Sequence, residues 1–82
     1  RATILAPGTH HLPKMPGRKL SLLAYSPEVR DVTLTGAKWT LTHATLTYRY
    51  PLGCSNEFTV DMAEVTFREG LLMVCFSADK NP

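Results

Sequence analysis

Residues 65–76, VTFREGLLMVCF, place six consecutive apolar residues directly behind an Arg-Glu-Gly turn. By periodicity alone such a run suits a buried helix or a buried strand, because both faces of either element would be apolar. The flanks decide. Gly70 supplies the positive φ of a tight turn, and Val60, Met62, Val65 and Phe67 ahead of it are spaced to pair back across that turn. The segment reads as a β-hairpin, with strands over 58–67 and 71–76 joined through 68–70.

The same β character runs through the rest of the body. No stretch of ten or more residues has the spacing of an amphipathic helix. Residues 19–25 (KLSLLAY) form a first strand closed by Ser26-Pro27-Glu28. In 30–35 (RDVTLT), Val32 and Leu34 alternate inward against Asp31, Thr33 and Thr35, and Gly36 ends the strand. Residues 38–50 (KWTLTHATLTYRY) change phase at His43-Ala44, which predicts either two strands or one strand with a bulge. Pro51 and Gly53 break the pattern, and 54–57 read as a loop. Six or seven strands of this kind predict an all-β antiparallel β-sandwich.

Ahead of the body, residues 1–18 hold three prolines among small and polar residues, which predicts an extended Pro-rich N-terminal arm. The division is then an arm over 1–18, a β-sandwich domain over 19–77 and a tail over 78–82. With 82 residues the core is small, so burial against a partner adds usefully to stability. No apolar run is long enough for a membrane span. The net charge of +2, with a basic cluster at Lys14, Arg18 and Lys19, is weaker than that of most nucleic-acid binders, and the cluster reads as a solvated loop. Cys54 and Cys75 stand 21 positions apart without a CxxC pair; a disulfide is open to them, but two thiols in a cytoplasmic protein is the favoured reading.

The order of features resembles the α-crystallin domain of the small heat-shock proteins and the related CS co-chaperone sandwiches. Residues 65–74 (VTFREGLLMV) are similar to that family's Ala-x-x-x-Asn-Gly-Val-Leu run, with Val65, Glu69, Gly70 and Leu71-Leu72 at the matching places. Residues 47–53 (TYRYPLG) are similar to its arginine-bearing strand, with Arg49 the match, although the order Pro51-Leu52 is the reverse of the family's Leu-Pro. The long loop exchanged between partners and the Ile-x-Ile tail have no counterparts, so the resemblance points to a compact module. It implies an immunoglobulin-like or α-crystallin-like sandwich with an ATP-independent chaperone or co-chaperone role.

Catalytic and metal chemistry find little support. His10 and His11 are adjacent in the arm, His43 stands alone, and no Cys or carboxylate lies at ligand spacing, so neither metal nor cofactor is expected. Cys75 sits inside the apolar run, where a thiol is inert. Asp31, Glu57, Asp61, Glu64 and Glu69 alternate with apolar residues or sit in turns and read as solvated. Phosphate-cradling glycine loops and nucleophile elbows are missing from the sequence. The expectation is a protein that is no enzyme.

What remains is surface. In 71–76 one set of side chains is Leu71, Met73 and Cys75 and the other Leu72, Val74 and Phe76; one set enters the core, and the other must be covered. Ile4 and Leu5 in the arm are apolar enough to dock as an added strand. Ile4, Leu5, Arg49, Leu71, Met73 and Cys75 are therefore the candidate partner-binding residues. Two functions compete: a chaperone-like module holding clients or a partner through sheet edges and grooves, or a structural assembly domain whose strip is a subunit interface. A basic β-module on nucleic acid is a weaker third.

Overall fold

The computed structural model describes residues 2–15, 17–47 and 53–78, the side chains of 53–55 and 77–78 excepted. Eight strands follow one another: β1 (Ala2–Leu5), β2 (Gly8–Pro13), β3 (Arg18–Ala24), β4 (Glu28–Thr35), β5 (Leu41–Thr47), β6 (Gly53–Asn56), β7 (Met62–Phe67) and β8 (Leu72–Ala78). They form two antiparallel sheets of four, in the orders β1-β8-β3-β6 and β2-β7-β4-β5. No helix of the described residues is long and apolar enough to cross a membrane.

The core lies between the sheets and draws on both. Leu20, Leu22, Leu72 and Val74 come from the first sheet; Val29, Val32, Leu34, Leu46, Val65 and Phe67 come from the second, and all are essentially inaccessible to water. Each such side chain contributes about 1.5–3 kcal/mol by leaving water, which is what holds two otherwise separate sheets together. The expected inward pair in β4, Val32 and Leu34, is fully buried.

The hairpin expected across Gly70 does not form. β7 pairs with β2 and β4 in one sheet, whereas β8 pairs with β1 and β3 in the other. Residues 68–71 are a crossover between the sheets. The apolar run misled because β8 is an interior strand: Leu72, Val74 and Phe76 face the core, while Met73 and Cys75 lie half-buried on the outer face, beside Leu23 and Ser21 of β3. Gly70 does carry a positive φ of 97°. Its role is close approach as much as turning, since a Cβ there would meet Ser26 Oγ and Val29 Cα at 2.9 Å, with the Glu28 carbonyl oxygen nearer still. Ser26 Oγ holds the crossover by accepting from Leu71 N at 2.9 Å and donating to Glu28 O at 2.7 Å.

The residues read as an arm supply edge strands to both sheets. β1 pairs with β8 from Ala2↔Cys75 to Leu5↔Leu72, and β2 pairs with β7 from Gly8↔Phe67 to Pro13↔Met62. Ala6-Pro7 steps from one sheet to the other. Pro13, one of the prolines that suggested a solvated arm, ends the edge strand β2, where a missing N–H leaves no ladder bond broken, and Pro7 lies in the step between the sheets. The expected loop over 54–57 also differs, because β6 runs to Asn56. The phase change at His43 is a bulge: the β4–β5 register shifts between Val29 and Val32 and again before Leu34, and Asp31 and His43 have φ of 61° and 48°. Among the described residues of that stretch Leu41–Thr47 is strand and 38–40 are loop; 48–50 lie outside the described residues.

Replacing Gly70 by Ala forces a side chain into the Glu28–Val29 backbone at an unfavourable φ. The expected cost is roughly 3 kcal/mol or more, read as a lower denaturant midpoint at unchanged slope. An unchanged midpoint would show that the crossover tolerates a Cβ.

Candidate functional site

One loop is fastened far more firmly than its length requires. Residues 36–40 join β4 to β5 at the end of the second sheet, and the last residue of β6, Asn56, reaches them from the first sheet. The Asn56 side chain is buried, at 2% exposure, with both its oxygen and its nitrogen hydrogen-bonded. Its Oδ1 accepts from Trp39 N and from Glu57 N, both at 2.9 Å, and its Nδ2 donates to Trp39 O at 2.6 Å. The carboxamide thus stands in for a neighbouring strand on both polar groups of Trp39, and this explains why a residue expected in a strand sits in a loop. Lys38 N donates to Glu57 O at 2.8 Å, Thr59 N to Gly36 O at 3.0 Å, and Ala37 forms a bridge with Phe58. Gly36, at φ 82°, lies so close to β7 that a Cβ would meet Val60 Cγ2 at 2.8 Å and Ala63 Cα at 2.9 Å.

All this holds in place an indole that is itself half in water. Trp39 is 53% exposed, and Lys38 Nζ lies 4.7 Å from its ring centroid. An aromatic face presented from a rigid backbone, with a cation already over it, is suited to flat, cationic or heteroaromatic ligands. The sequence carried a signal for it in GAKW and SNE, residues 36–39 and 55–57, but Trp39 and Asn56 are 17 positions apart and neither motif is informative alone.

A second cluster lies on the β4–β5 bulges. Arg30, Asp31, His43, Thr45, Arg68 and Glu69 surround an open cleft of about 510 Å³. Its charges are mutually satisfied: His43 Nδ1 pairs with Asp31 Oδ1, Arg68 lies 3.8 Å from Asp31, and Arg30 meets Glu28 at 2.6 Å and Glu69 at 3.6 Å. His43 was expected to stand alone, and its partner is supplied by the bulge in the adjacent strand. His10 Nε2 donates to Ala6 O at 2.7 Å and its ring stacks on Phe67, while His11 lies 3.6 Å from Glu64. Among the described residues no three His, Cys, Asp or Glu side chains converge as a metal site would require.

The candidate partner-binding residues separate. Ile4, Met73 and Leu23 are register partners across β1, β8 and β3, so they form one apolar row on the outer face of the first sheet, with Cys75 two positions along. Leu5 turns inward and packs against the core. Leu71 is exposed in the crossover, and Arg49 lies outside the described residues.

The similarities of the chain lie elsewhere than the small heat-shock proteins. Residues 9–72 match the family described as thiamin pyrophosphokinase, vitamin B1 binding domain. Among solved structures, the thiamine pyrophosphokinase of Bacillus subtilis is 28% identical with a TM-score of 0.90, over 96% of this chain and 37% of its own. That of Geobacillus thermodenitrificans is 31% identical with a TM-score of 0.87, over 98% and 38%. A thiamin pyrophosphokinase family protein of Enterococcus faecalis is 33% identical with a TM-score of 0.82, over 96% and 37%. The chain therefore spans well under half the length of these structures. No curated protein matches it. The α-crystallin resemblance and the chaperone role it implied are overturned, since they rested on a glycine between apolar strands that here marks a crossover. The expectation of no enzyme falls with them, because the family is a domain of an enzyme. By its match over most of its length, the chain belongs to the thiamin pyrophosphokinase vitamin B1 binding domain family.

Proposed function

We propose that the chain binds thiamin, with the Trp39 ring as its platform and Asn56 as the clamp that fixes the ring's position, and that it does so as the acceptor-holding part of a thiamin pyrophosphokinase. The observation that carries this reading is the half-exposed Trp39 on a backbone held by the buried Asn56. Thiamin consists of a pyrimidine and a permanently cationic thiazolium, both flat. Such rings suit an indole face, and a cation over Trp is worth roughly 1–2 kcal/mol when water is excluded. Lys38 Nζ lies over that face and gives way to the ligand's own cation. The half-buried free thiol of Cys75 suits a cytoplasmic location, which belongs to the same proposal.

A second reading concerns assembly. The apolar row of Ile4, Leu23 and Met73 on the outer face of the first sheet is a surface for a second copy of the chain, with Cys75 beside it. Burial of such a row adds apolar contact that a small core lacks. Met73→Asp is expected to shift the chain toward monomer in sedimentation at tens of micromolar; a wild-type chain that is monomeric there removes the proposal.

Trp39 is the only tryptophan, so its fluorescence reports the site directly. Thiamin is expected to quench it saturably, and calorimetry on Trp39→Ala is expected to show affinity lower by about tenfold or more. Unaltered affinity would place the vitamin elsewhere. Asn56→Ala removes three hydrogen bonds at a buried position and leaves the Trp39 backbone N–H and C=O without their partner. It is expected to cost about 2–4 kcal/mol of stability in chemical denaturation and to weaken thiamin binding, whereas a loss of stability with thiamin affinity retained would separate the clamp from the site.

A further inference from the structure

Lys14, Arg18 and Lys19, the cluster that reads in the sequence as a solvated loop, flank the β2–β3 turn and face a cavity of about 160 Å³, with Glu57 and Phe58 on its far wall. The turn is held by bonds from Lys14 N to Asp61 O at 2.8 Å and from Arg18 N to Met15 O at 3.1 Å. Three cations thus meet one carboxylate in the lining. Lys19 lies 3.6 Å from Glu57, and Lys14 and Arg18 form no ion pair among the described residues. Glu57 and Phe58 follow directly on Asn56, and they are tied to 37–38 by the Lys38 N to Glu57 O bond and the Ala37–Phe58 bridge. Residues 56–58 therefore link the lining of the cationic cavity to the backbone that carries Trp39.

Thiamin alone gives no reason for this arrangement. It is a cation, and a cluster of like charge repels it; a phosphorylated thiamin is an anion, and the same cluster attracts it. We infer that the cavity lined by Lys14, Arg18 and Lys19 is an anion subsite that takes the phosphate oxygens of a phosphorylated ligand whose ring stacks on Trp39. The inference rests on the Trp39 reading for the ring, but not for the anion. Arg18 offers the paired N–H donors that suit phosphate oxygens, and Lys14 and Lys19 add point charges.

Calorimetry on the chain with thiamin, thiamin diphosphate and inorganic pyrophosphate tests this, in wild type and in a Lys14→Gln, Arg18→Gln variant. Both side chains are exposed, so folding is little disturbed, and a denaturation midpoint equal to wild type verifies it. The diphosphate ester is expected to bind wild type at least about tenfold more tightly than thiamin, with the advantage shrinking as salt rises. In the variant the ester should weaken by about tenfold while thiamin binds no more weakly than before. Equal wild-type affinity for ester and thiamin, or an equal loss of both in the variant, overturns the subsite. Pyrophosphate that binds wild type and loses affinity in the variant while thiamin fails to bind supports the subsite and sinks the Trp39 reading. Pyrophosphate and ester binding that are both indifferent to the substitutions overturn the subsite.

Discussion

Two of the three hydrogen bonds of the Asn56 carboxamide, those to Trp39, join parts of the chain that belong to different sheets. β6 lies at the edge of the first sheet and the β4–β5 loop at the end of the second. Burying an amide without partners costs several kcal/mol, so a buried Asn is tolerated only where the surrounding backbone uses it completely. Here both polar atoms of the amide are bonded, and among the described residues no buried side-chain polar atom lacks a partner. The consequence is directional. Apolar contacts between two sheets allow sliding, whereas a carboxamide that accepts from two N–H groups and donates to one C=O fixes the loop in position and orientation. Trp39 inherits that fixity, and the cationic wall beginning at Glu57 inherits it from the other side.

The bulges on β4 and β5 act on the same loop from its strand side. Asp31 and His43 hold left-handed backbone conformations that non-glycine residues adopt at a cost, and their side chains bind each other across the two strands. Thr33 Oγ1 accepts from His43 N at 3.2 Å. Two irregular positions facing one another keep their register because each is held by the other, and the hairpin leading to Trp39 twists accordingly. The ion pairs of Arg30 and Arg68 around them are exposed and add little stability individually.

The sequence was informative about local geometry and uninformative about pairing. Alternation in β4 showed which side chains enter the core, the phase change at His43 marked the bulge, and Gly70 marked a positive φ. Each of these is written within a few residues. Strand partners are not: β1 pairs with β8 from the opposite end of the chain, and β7 and β8, adjacent in sequence, lie in different sheets. A glycine between two apolar strands has the same local signature in a hairpin and in a crossover between sheets. Proline in 1–18 was similarly ambiguous, because a solvated arm and an edge strand both dispense with the backbone donor.

The site was hidden for a related reason. A search for chemistry in a sequence looks for nucleophiles, bases and metal ligands at recognisable spacing, and on that criterion this chain holds little. A domain that binds an acceptor has no need of them. It needs a flat apolar face, a rigid support for that face and charges matched to the ligand, and none of these has a spacing rule. Trp39 reads as one more strand aromatic until Asn56 removes it from the strand, and Asn56 reads as a loop residue until the second sheet arrives above it. Lys14, Arg18 and Lys19 read as solvated, and Lys14 and Arg18 are exposed, but the sequence does not show that the three line one cavity with Glu57 and Phe58. Motifs at recognisable spacing were therefore a poor guide to a chain of this family, and the fold supplies what they did not by bringing residues 14–19, 36–40 and 56–58 to one corner.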